Sequence, residues 1–326
     1  MQLIINILII LITSIVIYYT ATYFAKSSSN IGDYLKLPRS VKGATFDAIA
    51  SSLPELLVAL FAIIFFKSFE VGIGTIAGSA LFNLLIIPGI CILVSPIVFK
   101  VSKKVISRDA LFYIISVFIL LTLLLYFKTW GIIIALILIT AYIIYLLEII
   151  KHSKQYRKKQ KQKKLKINLL KEIIIITITV IVIGIATFFL TQSSINLAHI
   201  LKVSPIIIAF TITAAATSVP DAVISVANAK KGDVTDATSN VFGSNIFDIF
   251  IGLGLPLLIY YFIKGPVEIT FDNLEIILGL LGSTIIMLYF LTDDNTLNKK
   301  EAWFLLFMYF IFIAYVILLS LDIFNI

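Results

Sequence analysis

Ten apolar runs fill most of this 326-residue chain, and the loops between them are too short to fold as separate domains. Inside lipid, backbone amides must find partners within their own segment, so long apolar runs in this number can only be membrane-spanning helices. The runs read as spans at roughly 3–24, 42–66, 71–98, 109–127, 130–150, 171–191, 203–229, 235–262, 274–292 and 301–323. Hydrophobic residues make up 60% of the chain and charged residues 13%, with a mean hydropathy of +1.08. That leaves too little polar surface for a soluble domain of this size. The first run is too long for a signal-peptide core and lacks a basic flank, so it reads as a retained helix.

The net charge of +8 does not point to a nucleic acid, because the basic residues sit in short loops between spans. Loops after odd-numbered spans hold 22 of the 26 Lys and Arg residues; the others hold only Lys67, Lys128, Lys202 and Lys264. The positive-inside rule then places the N-terminus outside the cell and the basic loops in the cytoplasm, with the plasma membrane as the expected location. Five spans precede the most basic loop and five follow it. Five is odd, so the two halves enter the membrane from opposite faces. The expected fold is an all-α polytopic membrane protein of ten transmembrane helices, arranged as two inverted five-helix repeats. Residues 1–150 form the first repeat, 151–170 a basic cytoplasmic linker and 171–326 the second repeat. Cys91, the single cysteine, lies inside an apolar run, which excludes an intrachain disulfide and a cysteine metal cluster.

Each half carries one copy of a polar segment. The first reads GATFDAIASSLPELL (residues 43–57), then GTIAGSALFN (residues 74–83). The second reads AFTITAAATSVPDAV (residues 209–223), then SNVFGSNIFD (residues 239–248). Thr45 falls on Thr211, Ser52 on Ser218, Glu55 on Asp221, Ser79 on Ser244, and Asn83 on Asp248. An acid at the bilayer centre costs about 2.5–3.5 kcal/mol even on insertion scales, so such residues usually mark an ion or substrate path. Helical spacing sets Ser51 and Ser52 on one face with Glu55, and Thr217 and Ser218 with Asp221. Ser79 with Asn83, and Ser244 with Asp248, are i, i+4 pairs. All these groups offer oxygen and none offers sulfur or imidazole, which suits hard cations such as calcium and sodium. Pro54 and Pro220 cannot donate to the carbonyls of Ala50 and Ala216, adding loosened backbone where a cavity lining would use it.

These doubled segments resemble the alpha repeats of the sodium/calcium exchanger (cation/calcium exchanger) superfamily. The resemblance lies in G-A-T-x-x-A, S-S-L-P-E and G-S-x-x-x-N in the first half, and T-S-V-P-D and G-S-N-I-F-D in the second. K-K-G-D and G-S-N-I-F-D-I-F-I-G-L-G-L-P are most similar to the potassium-dependent branch. The resemblance implies sodium/calcium antiport by alternating access, with potassium co-transport where the likeness to the potassium-dependent branch holds, and no cofactor or enzymatic activity. It also implies the ligands: the Ala48 carbonyl, Ser51, Ser52, Glu55, Ser79 and Asn83, with the Ala214 carbonyl, Thr217, Ser218, Asp221, Ser244 and Asp248. Glu55 and Asp221 would hold calcium. The alanine carbonyls rest on the resemblance alone.

Two departures stand out. Ala50 and Ala216 replace glycines common in the family, and Asp47 stands where the family is usually apolar. Asp47 either lines an inner vestibule or sits near the interface paired with Lys42 or Arg39. His152 and His199 read as surface residues. Asp109, Glu70, Asp233, Asp236, Glu268, Asp272, Asp293 and Asp294 read as solvated charges at span ends. Proton/calcium exchange is the nearest rival function. A cation channel is disfavoured by inverted repeats in one chain, and a membrane-embedded metalloprotease by the lack of histidine ligands. The expected partners are the lipid bilayer and inorganic cations.

Overall fold

The computed structural model describes residues 1–37, 39–103, 105–154, 167–269, 273–292 and 295–320, and these are almost entirely helical. In the first half, α1 (Gln2–Tyr34) leads to α2 (Arg39–Lys42), a π-helical turn (Gly43–Asp47), α3 (Ala48–Ser51), α4 (Leu53–Ile64) and α5 (Phe69–Val94). A second π-helical turn (Val105–Ala110) runs into α6 (Leu111–Tyr126), and α7 (Ile132–Lys154) follows. The second half opens with α8 (Leu169–Leu201), α9 (Pro205–Ile208), a π-helical turn (Ala209–Thr213), α10 (Ala214–Thr217) and α11 (Val219–Lys230). Then come α12 (Val234–Phe247), a π-helical turn (Asp248–Gly252), α13 (Leu253–Lys264), α14 (Leu274–Thr292) and α15 (Lys299–Ser320).

Among the described residues, seven helices are long and apolar enough to cross a membrane. Two bent pairs, Thr45–Ser51 with Leu53–Ile64 and Pro205–Thr217 with Val219–Lys230, would each add a span, and Glu275–Leu291 is a shorter apolar helix. The bends measure 49° and 41°. Both have one cause: Pro54 and Pro220 open α4 and α11, where a missing N–H is tolerated, and the preceding turn loses its hydrogen bond. The hinge residues share a backbone conformation, with φ −89 and ψ 4 at Ser52 and φ −81 and ψ −3 at Ser218.

α1 and α8, each of 33 residues, pack lengthwise on one another. At about 1.5 Å per residue each is longer than the lipid core requires. Both outrun the predicted spans, which ended near 24 and 191. Beyond that point the polar residues are held by tertiary bonds rather than released into loops: Ser28 Oγ donates to the Phe46 carbonyl at 3.1 Å, and Asn30 Nδ2 donates to Glu172 Oε1 at 3.0 Å. α5 is the core of the molecule, 83% buried over its apolar window against 22% for α1. Glycine lets it approach the second half backbone to backbone: a Cβ at Gly74 would lie 2.7 Å from the Ile206 carbonyl oxygen, and one at Gly78 only 2.1 Å from that of Phe210.

Two short ladders tie loops together. β1 (Phe99–Lys100) pairs antiparallel with β4 (Thr296–Leu297), matching Phe99 with Leu297. β2 (Thr129–Trp130) pairs antiparallel with β3 (Val267–Glu268), matching Trp130 with Val267. Residues 155–166 of the predicted linker lie outside the described residues.

Candidate cation-binding site

The two hinges meet at mid-molecule. Each ends one short helix and begins another, so the acid one residue beyond the proline is carried into the centre instead of along a helix side. α5, α12 and the π-helical turn that follows α12 run beside the hinges and bring Ser79, Asn83, Ser244 and Asp248. Glu55, Asp221 and Asp248 each offer a carboxylate oxygen within 4.8 Å of the other two, and all three residues are fully buried.

The hydrogen bonds around them are few. Ser244 Oγ donates to Asp221 Oδ1 at 2.7 Å, and Asn83 Nδ2 donates to Asp221 Oδ2 at 3.1 Å. Ser79 Oγ faces Glu55 Oε1 at 3.4 Å and Asp248 Oδ2 at 3.2 Å, but its one proton serves only one of them at a time. Ser218 Oγ reaches Glu55 Oε1 at 3.4 Å. Four oxygens have no close hydrogen-bond partner among the described residues: Ser52 Oγ, Glu55 Oε2, Asn83 Oδ1 and Asp248 Oδ1. Among the described residues no basic side chain pairs with any of the three acids. Enclosed carboxylates with too few protons to share are unstable alone and are satisfied by cations. The donor set is oxygen throughout, which fits calcium, sodium or potassium and excludes a thiolate-type metal centre.

The structure thus brings all the acids, serines and the asparagine predicted from the sequence into one buried cluster. Ser51 Oγ lies 3.2 Å from Ser244 Oγ, linking the halves directly. Thr217 is buried and donates to the Thr213 and Ala214 carbonyls at 3.1 and 3.2 Å. Ser51 repeats this with Asp47 and Ala48, at 2.9 and 3.2 Å. The Ala48 and Ala214 carbonyls each also accept a backbone N–H, from Ser52 and Ser218, both at 2.9 Å. Asp47 is buried in its π-helical turn. Lys42, one of its two expected partners, turns instead to Asp33 and Ser29, at 3.0 Å each. The Arg39 side chain lies outside the described residues.

Two expectations are corrected. Asp109 and Asp236 are buried, at 0% and 5% exposure, rather than solvated. Asp109 is drawn in because the helix begins a turn earlier than expected, at Val105. Arg108 pairs with it at 2.6 and 2.9 Å, while Tyr145 Oη and Ser239 Oγ donate to it at 3.2 Å each. Glu268 and His199 are exposed, as expected. Asp272, Asp293, Asp294 and the His152 side chain fall outside the described residues. Three polar residues were missed. Asn245 accepts from Asn83 Nδ2 at 2.9 Å, and Asn240 donates to Ser225 Oγ at 3.0 Å. The signal was available: Ser225 lies four residues after Asp221, and Asn240 four before Ser244.

A bundle of apolar helices enclosing a carboxylate-rich oxygen site is the arrangement of a membrane protein that takes inorganic cations into its interior. The model of the family described as sodium/calcium exchanger protein matches residues 5–151 and 171–318, and the chain belongs to that family. An uncharacterized membrane protein of Methanocaldococcus jannaschii is 27% identical over 300 residues, covering 92% of this chain and 94% of that one. Human sodium/potassium/calcium exchanger 4 is 40% identical over 99 residues, but these are 30% of this chain and 16% of that protein. The fold matches a structure of the sodium-calcium exchanger NCX_Mj soaked with sodium and strontium, with a TM-score of 0.68, 23% identity, and coverage of 96% of this chain and 99% of that one.

Proposed function

We propose that this chain exchanges sodium for calcium by alternating access through the single cluster of Glu55, Asp221 and Asp248, with potassium accompanying calcium. The observation that carries this reading is the enclosure of three acids, mutually within 4.8 Å, with no basic partner among the described residues. Glu55 and Asp221 are the calcium ligands. Ser51, Ser52, Ser79, Asn83, Thr217, Ser218, Ser244, Asp248 and the carbonyls of Ala48 and Ala214 complete sodium or potassium positions around them. Asp47 lines the inner vestibule, two turns towards the cytoplasm. Potassium is favoured by the similarity of part of the chain, 37% identical over 127 residues and 40% over 99, to proteins named sodium/potassium/calcium exchangers 3 and 4.

The proposed architecture is ten spans in two inverted five-helix repeats, 1–150 and 171–326, joined by a basic linker at 151–170. Three features support it. The seven long helices, two bent pairs and one shorter helix coincide with the ten apolar runs. The two ladders join loops assigned to the same face: β1 and β4 inside, β2 and β3 outside. An inverted symmetry also exchanges them, since β1 and β3 follow the third span of each repeat, while β2 and β4 follow the fourth. Finally, ATYFAKSSSN (residues 21–30) on α1 and ATFFLTQSSIN (residues 186–196) on α8 extend the duplication to the first helix of each half. The proposed location is the plasma membrane, and the distribution of basic residues among the loops supports an N-terminus outside and a linker in the cytoplasm.

The test is uptake of radiolabelled calcium into proteoliposomes loaded with sodium, with and without potassium, across a range of pH. Sodium-dependent uptake at constant pH is expected. Uptake that ignores sodium but follows a proton gradient would replace this reading with proton/calcium exchange.

A further inference from the structure

Asn83 is the one side-chain amide in the proposed ligand set, and an amide has two unlike ends. Its oxygen attracts a cation and its NH2 repels one, yet a flip exchanges them with almost no change of shape. The surroundings of Asn83 decide between the two. Nδ2 donates to Asn245 Oδ1 at 2.9 Å and to Asp221 Oδ2 at 3.1 Å, with Ser79 Oγ further off at 3.5 Å. Asn245, fully buried on α12, donates in turn to the Ala80 carbonyl at 3.4 Å. A backbone carbonyl only accepts, so it draws the NH2 of Asn245 and turns that residue's oxygen to Asn83. Asn83 must answer with its own NH2. Its Oδ1, fully buried, is then left without a hydrogen-bond partner and free for an ion.

Asp221 pulls the Asn83 amide the same way, but as a calcium ligand it is claimed by whatever ion arrives. Asn245 is neutral and lies outside the ligand set, so its oxygen stays available in every loading state. The repeats differ at this point. Counting from the aligned serines, Asn245 falls on Ala80, just as Asp248 falls on Asn83. The repeat whose motif ends in an amide is thus met by an orienting asparagine from the other half. Asp248 has two like oxygens and needs no such partner, and the residue equivalent to Asn245 is there an alanine.

We propose that Asn245 is a positioning residue, which holds the Asn83 amide with its oxygen towards a bound monovalent cation. The inference rests on the exchange reading, in which Asn83 completes a sodium or potassium position, and deepens it. A plain structural role, a hydrogen bond fastening α5 to α12, makes a different prediction. It would cost stability without regard to what stands at position 83.

The experiment is thermal unfolding of the purified full chain in choline buffer with sodium titrated, for wild type, Asn245→Ala, Asn83→Asp and the double variant. Without Asn245 the bare oxygens of Glu55 and Asp248 compete for the freed N–H and turn the amide the wrong way in the empty site. If the productive orientation falls to about one molecule in five, half-maximal stabilisation requires about fivefold more sodium. In the Asn83→Asp background either oxygen serves, so Asn245→Ala should raise the sodium requirement by less than about twofold. Equal shifts in the two backgrounds would overturn the proposal in favour of helix packing. So would an Asn245→Ala protein that melts lower without ions but titrates normally, or an Asn83→Asp protein that no longer responds to sodium. If the wild type gains no stability from sodium or calcium, the exchange reading fails first, and that failure is visible without any variant.

Discussion

Gly78→Ala is expected to disable calcium binding by pushing the two halves of the site apart. A Cβ at Gly78 would lie 2.1 Å from the Phe210 carbonyl oxygen, 2.6 Å from Ala214 Cβ and 2.8 Å from the Phe210 carbonyl carbon. Carbon and oxygen atoms in contact settle at about 3.3 Å or more. α5 and the turn at Ala209–Thr213 must therefore separate by about 1 Å, and both are backbone, so no side chain can swing away. Ser79 is the next residue on one side of that contact, and Ala214 and Thr217 follow on the other. Calcium–oxygen distances vary over only about 0.3 Å, so a shift of this size exceeds what the site can absorb. Overpacking costs about 1–3 kcal/mol, and alanine's better helix propensity offsets up to about 1 kcal/mol of that in stability. Charged to binding, that strain corresponds to roughly a 5–150-fold rise in the calcium concentration for half-maximal exchange. The control variants are Gly184→Ala and Gly282→Ala, where an added Cβ meets nothing within 4 Å. Both should transport normally in the same proteoliposome assay. A Gly78→Ala protein with half-saturation within twofold of wild type would refute the reasoning.

Glu55→Gln and Asp221→Asn should each abolish calcium exchange while the protein remains folded, since a buried amide is cheaper than a buried acid; flux together with size-exclusion behaviour in detergent checks both halves. Asp248→Asn should keep sodium-driven calcium flux but lose most of its stimulation by potassium, read from uptake at zero and saturating potassium. Asp109→Asn leaves the Arg108 guanidinium without its anion in a buried setting, so a loss of about 3–5 kcal/mol is expected in thermal or chemical unfolding. The further change of Arg108 to Gln in that background should recover part of it.

Most of the site was legible because its chemistry is duplicated. A single serine or proline in a membrane helix carries little information, but Ser52, Pro54 and Glu55 recurring as Ser218, Pro220 and Asp221 identify one another. What stayed hidden lay outside the repeat register. The Arg108–Asp109 pair looks like a loop charge because charge density marks span ends, and only the fold shows Tyr145 and Ser239 arriving to compensate it. Helix ends were misplaced where tertiary bonds, such as Asn30 to Glu172, keep polar residues helical beyond the lipid core. The duplicated ATYF and ATFF segments, one on α1 and one on α8, were readable in the sequence as well.

The difference between Asn83 and Asp248 bears most directly on coupling. The two occupy equivalent positions and each keeps one oxygen without a hydrogen-bond partner, but Asn83 donates its amide to Asp221 and Asn245, at 3.1 and 2.9 Å, whereas Asp248 brings a carboxylate. With amides at both positions the site would carry two negative charges, which one calcium ion neutralises alone. With acids at both it would carry four. One of each gives three, an odd number that no set of calcium ions can match. On the proposed reading calcium therefore needs a monovalent companion, or must yield the site to three sodium ions. Either loading leaves the buried cluster near neutral, while the empty or half-loaded cluster retains charge that a low-dielectric interior penalises heavily. Only loaded forms then switch between faces, which is the condition for exchange instead of leak. Asp248→Asn tests this directly: removing the odd charge should let calcium alone satisfy the site, so calcium–calcium exchange should lose any dependence on potassium.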